Sequence, residues 1–146
     1  MIIVLDTNVL VSGLLTPYGS SGEIIRMVST GKLVLEYDSR ILSEYMEVLN
    51  RPKFQFDKEL VEAVIEIIKS NGHTVSASPL KMPLPDPDDA PFLEVAIEGD
   101  SEYLITGNKN HYPEKMCKGF LVLSPAEFVE TYRKIIFHTK SQSSQS

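Results

Sequence analysis

The sequence predicts an α/β protein in which helices cover both faces of a parallel sheet. Short apolar runs alternate along the chain with longer segments whose apolar residues recur at helical spacing. The first run, residues 1–5, is apolar throughout and ends at Asp6, as expected of a strand buried on both faces. Because ligands of such folds bind beyond the carboxyl ends of the strands, the residues that follow each strand are the candidate functional residues.

The predicted elements follow from periodicity and from turn residues. Strands are predicted at residues 1–5, 33–37, 73–77, 103–106 and 120–123. Helices are predicted at residues 8–15, 23–32, 39–50, 57–71, 89–98 and 125–137. Their predicted boundaries are a turn over 17–22, caps at Ser39 and Asp57, Gly72 after the fourth helix, and a capping box from Ser124 to Glu127. The proline-rich stretch 78–87 is predicted to be a loop that crosses the domain.

The chain length of 146 residues and its apolar content of 42% indicate one globular domain. We expect this domain to span residues 1–138 and to be followed by a polar, flexible tail at 139–146. Cys117 is the only cysteine, which excludes an intrachain disulfide and a thiolate zinc cluster. With no signal peptide at its start and no membrane-length apolar stretch, the chain is expected to be cytoplasmic and to have no membrane contact.

The net charge of −6, from 14 basic and 20 acidic residues, argues against a nucleic-acid partner, because such a surface repels phosphates at long range. A concentration of the acidic residues in one pocket would change this conclusion. Cations bound in such a pocket reverse its local sign.

Asp6 is the first candidate functional residue. It directly follows the first strand, in Asp6-Thr7-Asn8, and its carboxylate is therefore expected at the edge of the sheet. The alternative is that Asp6 is the N-cap of the helix at 8–15, since aspartate is a favoured cap. The local sequence favours neither interpretation.

Glu44 is the second candidate, because it shares a helical stripe with the apolar residues Ile41, Tyr45 and Val48. Burying a carboxylate on such a stripe lowers the stability of the fold by several kcal/mol, on the order found for buried ions, unless the carboxylate has a partner or binds a metal. The alternative is that Glu44 lies at the edge of the stripe and reaches water. Glu47 is expected on the solvent side of the same helix.

Asp89 is the third candidate and begins the stripe formed by Phe92, Leu93 and Ala96. Glu94 and Glu98 are expected on the opposite, solvent-facing side of this helix. The alternative for Asp89 is an ordinary acidic residue in the first turn, where the helix dipole favours a negative charge.

Two further polar groups accompany these carboxylates. Asp86 and Asp88 precede Asp89 on the proline-rich loop, and either one is a candidate cap or a water-mediated ligand of a cation. Thr106-Gly107-Asn108 follows the fourth strand, and Asn108 offers an amide oxygen there, although a plain turn residue is the simpler interpretation.

Taken together, the three carboxylates indicate a site for a hard cation, Mg²⁺ or Mn²⁺, because no His or Cys cluster accompanies them. Such an ion near a phosphodiester activates a water and stabilises the charge that develops on the phosphate oxygens. The sequence holds no GxxxxGK loop, no GxGxxG motif and no serine nucleophile elbow.

Four segments of the chain, in order, resemble the conserved motifs of PIN domains. They are Ile3-Val4-Leu5-Asp6-Thr7-Asn8-Val9-Leu10; Ser43-Glu44-Tyr45-Met46-Glu47-Val48-Leu49 with Arg51-Pro52-Lys53-Phe54; Asp86-Pro87-Asp88-Asp89 with Phe92-Leu93-Glu94-Val95-Ala96; and Tyr103-Leu104-Ile105-Thr106-Gly107-Asn108. The resemblance spans about residues 2–125 and is strongest to the VapC-like subgroup of toxin components of toxin–antitoxin pairs.

This resemblance implies a three-layer α/β/α fold whose five-stranded parallel sheet has the order 3-2-1-4-5, which places Asp6 and Asn108 across one crevice. It also implies an often homodimeric, Mg²⁺- or Mn²⁺-dependent ribonuclease that cuts single-stranded RNA and has a cognate antitoxin protein as partner. The family roles of metal-binding, catalytic acids fall on Asp6, Glu44 and Asp89.

The fourth catalytic position departs from the family pattern, because many PIN domains have aspartate where this chain has Asn108. The neutral side chain weakens the case for a second metal ion. His111 is expected either to contact substrate or to carry a proton, with an ordinary surface histidine as the simpler alternative. Candidate contacts to RNA are Asn8, Thr106, Arg51, Lys53, Lys109, Lys115 and His111.

Two other functions remain open from the sequence. The acidic charge and Asn108 favour a catalytically degenerate module that binds RNA or a protein without cutting. A phosphatase with Asp6 as nucleophile is less favoured, because such enzymes commonly have a second aspartate two residues later, where this chain has Asn8.

Overall fold

The computed structural model describes residues 1–144, which form six helices around one sheet. The strands are β1 (Ile2–Leu5), β2 (Val34–Tyr37), β3 (His73–Thr74), β4 (Tyr103–Ile105) and β5 (Leu121–Leu123). The helices are α1 (Thr7–Leu15), α2 (Ser20–Ser29), α3 (Ser39–Leu49), α4 (Lys58–Asn71), α5 (Ala90–Glu98) and α6 (Pro125–Ser144).

The sheet has the predicted order β3-β2-β1-β4-β5, all neighbouring strands are parallel, and helices flank it. β1 lies at its centre and is paired with β4 so that Leu5 is opposite Ile105. Ile3, Leu5 and Ile105 are fully buried, as predicted for strands covered on both faces. The α/β fold class and the strand order are therefore confirmed.

The edge strand β3 is shorter than the predicted strand at 73–77. Its last ladder contact is made by the Val75 amide, which donates to the Tyr37 carbonyl at 2.9 Å. Tyr37 is the final residue of β2, so the chain beyond Val75 has no neighbouring strand to pair with. The other four strands agree with the prediction to within one residue at either end.

Helix α2 begins inside the segment predicted to be a turn, and it ends before the predicted boundary at residue 32. Gly22 lies so close to Pro17 that an added Cβ would approach the Pro17 carbonyl oxygen to 2.0 Å, which lets the helix start directly against this loop. Gly31 has a φ of 79°, a conformation that favours glycine and ends the helix.

The cap of α3 is Asp38, which corrects the prediction of Ser39. The Asp38 carboxylate accepts a hydrogen bond from the Ile41 amide at 3.0 Å, and Ser39 is the first helical residue. Asp57 occupies the N-cap position of α4 as predicted, although its side chain makes no capping hydrogen bond, and Gly72 lies at the end of that helix.

Helix α6 begins with the predicted capping box, in which the Ser124 amide donates to Glu127 at 2.9 Å and the Glu127 amide donates to Ser124 Oγ at 3.2 Å. The helix continues to Ser144, past the predicted end at Phe137, because no proline or glycine follows to stop it. Residues 139–144 of the predicted tail are therefore helical, and residues 145–146 lie outside the described residues.

Glu94 is buried, at 6% exposure, which corrects the prediction that it faces solvent. One of its carboxylate oxygens accepts a hydrogen bond from Arg40 at 2.7 Å and the other accepts one from the Leu80 amide at 3.0 Å. Arg40 also contacts Asp38, the cap of α3. The proline-rich loop that contains Leu80 covers this side of α5, so Glu94 fastens the loop to the domain.

Among the described residues, no helix is both long enough and apolar enough to span a membrane.

We predict that Arg40→Ala lowers the free energy of unfolding by about 1–2 kcal/mol, because Glu94 then stays buried with only one hydrogen-bond donor. The half-exposed position of Arg40 keeps the effect below that of a fully buried pair. Urea denaturation measures the change. Lys134→Ala, which breaks the exposed pair of Lys134 with Glu130, is the control and should cost less than about 0.5 kcal/mol. Equal losses in the two variants would contradict this role of Arg40.

Candidate active site

An open cleft of about 510 Å³ lies beyond the carboxyl ends of the central strands. The pairing of Leu5 with Ile105 places the residues that follow them, Asp6 and Thr106, side by side at this edge of the sheet. Helices α1 and α3, the turn after α3, the loop before α5 and the loop after β4 form the walls of the cleft. Its charged and amide side chains are Asp6, Asn8, Glu44, Arg51, Asp86, Asp89, Asn108 and His111.

Asp6 is held in the cleft by two hydroxyl groups. It occupies the N-cap position of α1 but makes no side-chain capping bond, so the structure does not support the alternative of a capping side chain. One oxygen, Oδ2, accepts hydrogen bonds from Thr106 Oγ1 at 2.8 Å and from the Tyr112 hydroxyl at 3.2 Å. Burial raises the pKa of the Asp6 carboxyl, and the two hydroxyl donors oppose this shift by stabilising its charge.

Glu44 faces the cleft from α3, on the stripe that contains the fully buried residues Ile41 and Tyr45. Its carboxylate accepts a hydrogen bond from the Thr7 hydroxyl, in the first turn of α1. Burial raises the pKa of the Glu44 carboxyl, and the negative charges of Asp6 and Asp89 raise it further. The predicted inward orientation of Glu44 is therefore found in the structure.

Asp89 lies at the start of α5 and, like Asp6, occupies a cap position without a side-chain capping bond. Its oxygen Oδ2 contacts Nδ1 of His111 at 2.9 Å. Burial and the charge of Asp6 raise the pKa of the Asp89 carboxyl, and the contact with His111 lowers it. Asp89 thus faces the cleft, as the apolar stripe of its helix predicted.

Asp86, Asp89 and His111 form the most compact group of donors in the cleft. Each offers one ligand atom, and these atoms all lie within 4.8 Å of one another. Within residues 1–144, no other group of three or more carboxylate, histidine or cysteine side chains is as compact. Asp6 and Glu44 line the same cleft outside this group. The sequence predicted Asp86 as a cap or a water-mediated ligand. It predicted His111 as a substrate contact or a proton carrier, with a surface histidine as the alternative.

Two asparagines complete the polar wall. Asn108 lines the cleft opposite the end of β1, as predicted, and its backbone N–H donates to Thr106 Oγ1 at 3.0 Å. The Asn8 side-chain oxygen accepts a hydrogen bond from the Gly107 amide at 3.3 Å, which ties the loop after β4 to α1.

The candidate substrate contacts separate into two groups. Arg51 lines the cleft and pairs with Glu47 at 2.9 Å, and His111 and Asn8 also line it. Thr106 is fully buried and donates to Asp6. Because no surface of Thr106 is open to a substrate, its prediction as a substrate contact is wrong.

The predicted lysine contacts lie elsewhere. Lys53 is not among the lining residues and is positioned over the ring of Phe54, 5.0 Å from its centroid. Lys109 pairs with Glu127 at 2.9 Å and borders a separate depression beside β5. Lys115 is not among the lining residues either, so none of the three lysines supplies positive charge inside the cleft.

Tyr112 is a site residue that could not be found from the sequence; it is 3% exposed and its hydroxyl donates to Asp6. It lies in a loop without periodicity, so no sequence pattern signals its burial. The hydroxyl of Tyr45 was also missed, and it donates to the carbonyl of Leu5, directly before Asp6. Tyr45 and Tyr112 thus fix the backbone and the side chain at the end of β1.

Residues 2–110 match the PIN domain family model, and the chain belongs to this family. Membership in it implies a nuclease-type hydrolase, and PIN nucleases use divalent metal ions.

Two individual proteins are also similar to the chain. An uncharacterized protein of Methanocaldococcus jannaschii is 26% identical over 144 residues, which cover 92% of this chain and 93% of that protein. The crystal structure of VapBC2 from Rickettsia felis bound to a DNA fragment from their promoter matches with a TM-score of 0.52 and 15% identity, over 85% of this chain and 98% of the matched chain. The second match shows a shared fold.

The donors of the cleft fit a divalent cation. Carboxylate oxygens from Asp6, Glu44 and Asp89 are hard ligands, and their mutual repulsion contributes to the raised pKa values of Glu44 and Asp89. A bound cation would relieve this repulsion and stabilise the ionised forms.

We predict that Tyr112→Phe raises the pKa of Asp6 further, because the carboxylate loses one of the two hydroxyl donors that stabilise its charge. A pH titration of the carboxyl ¹³C resonances in metal-free protein measures this shift. Tyr18→Phe, at a position 98% exposed, is the control and should leave the Asp6 titration unchanged. An Asp6 pKa that is the same in both variants would contradict the assigned hydrogen bond.

Proposed function

We propose that this protein is an endoribonuclease that depends on Mg²⁺ or Mn²⁺ and cuts single-stranded RNA. The observation that carries this proposal is the presence of Asp6, Glu44 and Asp89 in one cleft, although they come from three separate parts of the chain. The domain keeps these carboxyls together in spite of raised pKa values, which is typical of functional sites.

A divalent cation in the cleft would supply an activated water and would stabilise the negative charge developing on the phosphate. Asp6, Glu44 and Asp89 are the carboxylates proposed to hold it. Thr106 and Tyr112 orient Asp6, and Thr7 orients Glu44. We assign Asn108 to the fourth catalytic position, where its amide oxygen is a neutral acceptor.

The walls of the cleft suit a single RNA strand. Of the described residues that line it, Arg51 is the only lysine or arginine, and it lies on the rim within reach of a phosphate. Phe54 also lines the cleft, and its ring stacks on Phe56 with centroids 5.6 Å apart. An aromatic ring in a nucleic-acid channel stacks on unpaired bases, which a duplex does not offer. Contacts from Asn8 and His111 would complete the binding of the strand.

We further propose that the protein is the toxin of a toxin–antitoxin pair, acts in the cytoplasm as a homodimer and is held inactive by a cognate antitoxin protein. The structural match to VapBC2 supports the toxin assignment, and the sequence resemblance to VapC-like proteins supports the antitoxin and the dimer. Apolar residues on α2 and α4, such as the half-exposed Leu60, are the proposed dimer contacts.

A catalytically degenerate PIN domain that binds RNA or a protein is the second candidate. It is favoured by the neutral Asn108 in the cleft and by the net charge of −6. The two candidates differ in whether the cleft binds a divalent cation.

We predict that Asp6→Asn lowers metal-dependent cleavage of a labelled single-stranded RNA by about a hundredfold or more, since even outer-shell partners of a metal contribute 10–100-fold. Asparagine keeps the side-chain shape and removes a buried charge, so the fold should survive, as circular dichroism would show. Asp57→Asn is the matched control, because Asp57 is an exposed cap outside the cleft. Full activity in Asp6→Asn would contradict the proposed mechanism.

Metal binding is predicted to stabilise the folded protein. At a Mn²⁺ concentration a hundredfold above Kd, the free energy of unfolding should rise by about 2.7 kcal/mol. Thermal unfolding of metal-stripped protein, with and without Mn²⁺ or Mg²⁺, measures the change. A double variant, Asp6→Asn with Asp89→Asn, should show no such stabilisation. If neither metal stabilises the wild-type protein, the degenerate binding module is the better account.

A further inference from the structure

Among the cleft side chains predicted to contact substrate, His111 is the one that belongs to the compact group with Asp86 and Asp89. His111 ends a 3-10 turn, Lys109–His111, that follows β4. Asp89 ends another 3-10 turn, Pro87–Asp89, and Asp86 is the cap of that turn. Two separate loops therefore bring one nitrogen donor and two oxygen donors together within 4.8 Å.

Within this group, His111 and Asp89 have the spacing of neighbouring ligands on one ion. Nδ1 of His111 and Oδ2 of Asp89 are 2.9 Å apart. An octahedral cation with bonds of about 2.1 Å holds adjacent ligand atoms about 3 Å apart. The two atoms are thus already at the separation of adjacent ligands, and His111 Nδ1 can bind an ion once it carries no proton.

The balance of charge also favours a cation. The group contains two carboxylates and one imidazole, so it stays negative even with a protonated histidine. Asp89 has a side chain only 11% exposed, so its charge is largely shielded from water, and this side chain contacts His111. One oxygen of Asp86 accepts a hydrogen bond from the Asp88 amide at 3.0 Å, which fixes this carboxylate beside the group.

We infer that His111 is a direct ligand of the cleft cation, together with Asp86 and Asp89, and that its nitrogen makes the cleft prefer Mn²⁺ to Mg²⁺. This inference rests on the proposed function, which requires a cation in the cleft but does not require a nitrogen ligand. Mn²⁺ is a first-row transition ion and accepts an imidazole nitrogen more readily than Mg²⁺, which strongly prefers oxygen. His111 is then part of the metal centre, and this role replaces the substrate contact assigned to it under the proposed function.

The test is pulsed electron paramagnetic resonance on Mn²⁺-loaded protein, which detects an imidazole ¹⁴N bonded to the ion. Wild-type protein should show this nitrogen coupling, and His111→Asn should lose it while still binding Mn²⁺ about tenfold more weakly or worse. His73→Asn is the matched control, since His73 is an exposed residue on β3 at the far edge of the sheet from β5. It should keep both the coupling and the wild-type Kd.

Competition between the two metals tests the second half of the inference. Mg²⁺ should displace Mn²⁺ from His111→Asn at a Mg²⁺ excess about tenfold lower than from the wild type, because the ligand that discriminates between the ions is gone. Thermal unfolding without metal checks that the variant is folded.

The other outcomes would contradict the His111 inference, the proposed function or the metal preference. Bound Mn²⁺ without nitrogen coupling in the wild type, or coupling that persists in His111→Asn, would overturn the inference and leave the proposed nuclease standing. A wild-type protein that binds no Mn²⁺ would overturn both. If Mn²⁺ is displaced from His111→Asn only at the same excess of Mg²⁺ as from the wild type, the inferred metal preference is wrong.

Discussion

The parallel pairing of β1 with β4 is the constraint on which the rest of the site depends. It places Leu5 opposite Ile105, so the chain leaves both strands at the same edge and Asp6 meets the hydroxyl of Thr106. Both strands are buried, and the apolar area they remove from water holds this register in place. A shift of one residue would turn Asp6 toward the opposite face and would dismantle the cleft.

Without a bound cation, the carboxyls of the cleft lower the stability of the folded protein. Burial raises the pKa values of Asp6, Glu44 and Asp89, and the negative charges of neighbours add to the effect at Glu44 and Asp89. A carboxyl with a raised folded-state pKa costs stability at neutral pH, and this cost is relieved as the pH falls through that pKa toward the lower pKa of the unfolded chain. The domain tolerates the cost because hydroxyl donors hold the carboxylates and the apolar sheet supplies the stability. Such local cost at a site is characteristic of function.

Much of the fold and part of the site could be predicted because their signals are local. Helical periodicity placed Glu44 and Asp89 on inward faces, and the position of Asp6 after an apolar strand placed it in the cleft. The burial of Glu94 could not be predicted, because it depends on a loop that returns from residue 80 and on Arg40 from another helix. Tyr112 and the grouping of His111 with Asp86 depend in the same way on how two irregular loops meet.

The most direct test of this account is a crystal of the protein soaked in Mn²⁺ and measured for anomalous scattering. The central claim is that the carboxyl edge of the sheet gathers its acidic side chains around a cation. The account predicts an anomalous peak in the cleft within bonding distance of Asp89, with Asp6 and Glu44 bonded to the ion or to its waters. An empty cleft at a Mn²⁺ concentration that saturates the soluble protein, or a peak only at other surface carboxylates, would contradict it.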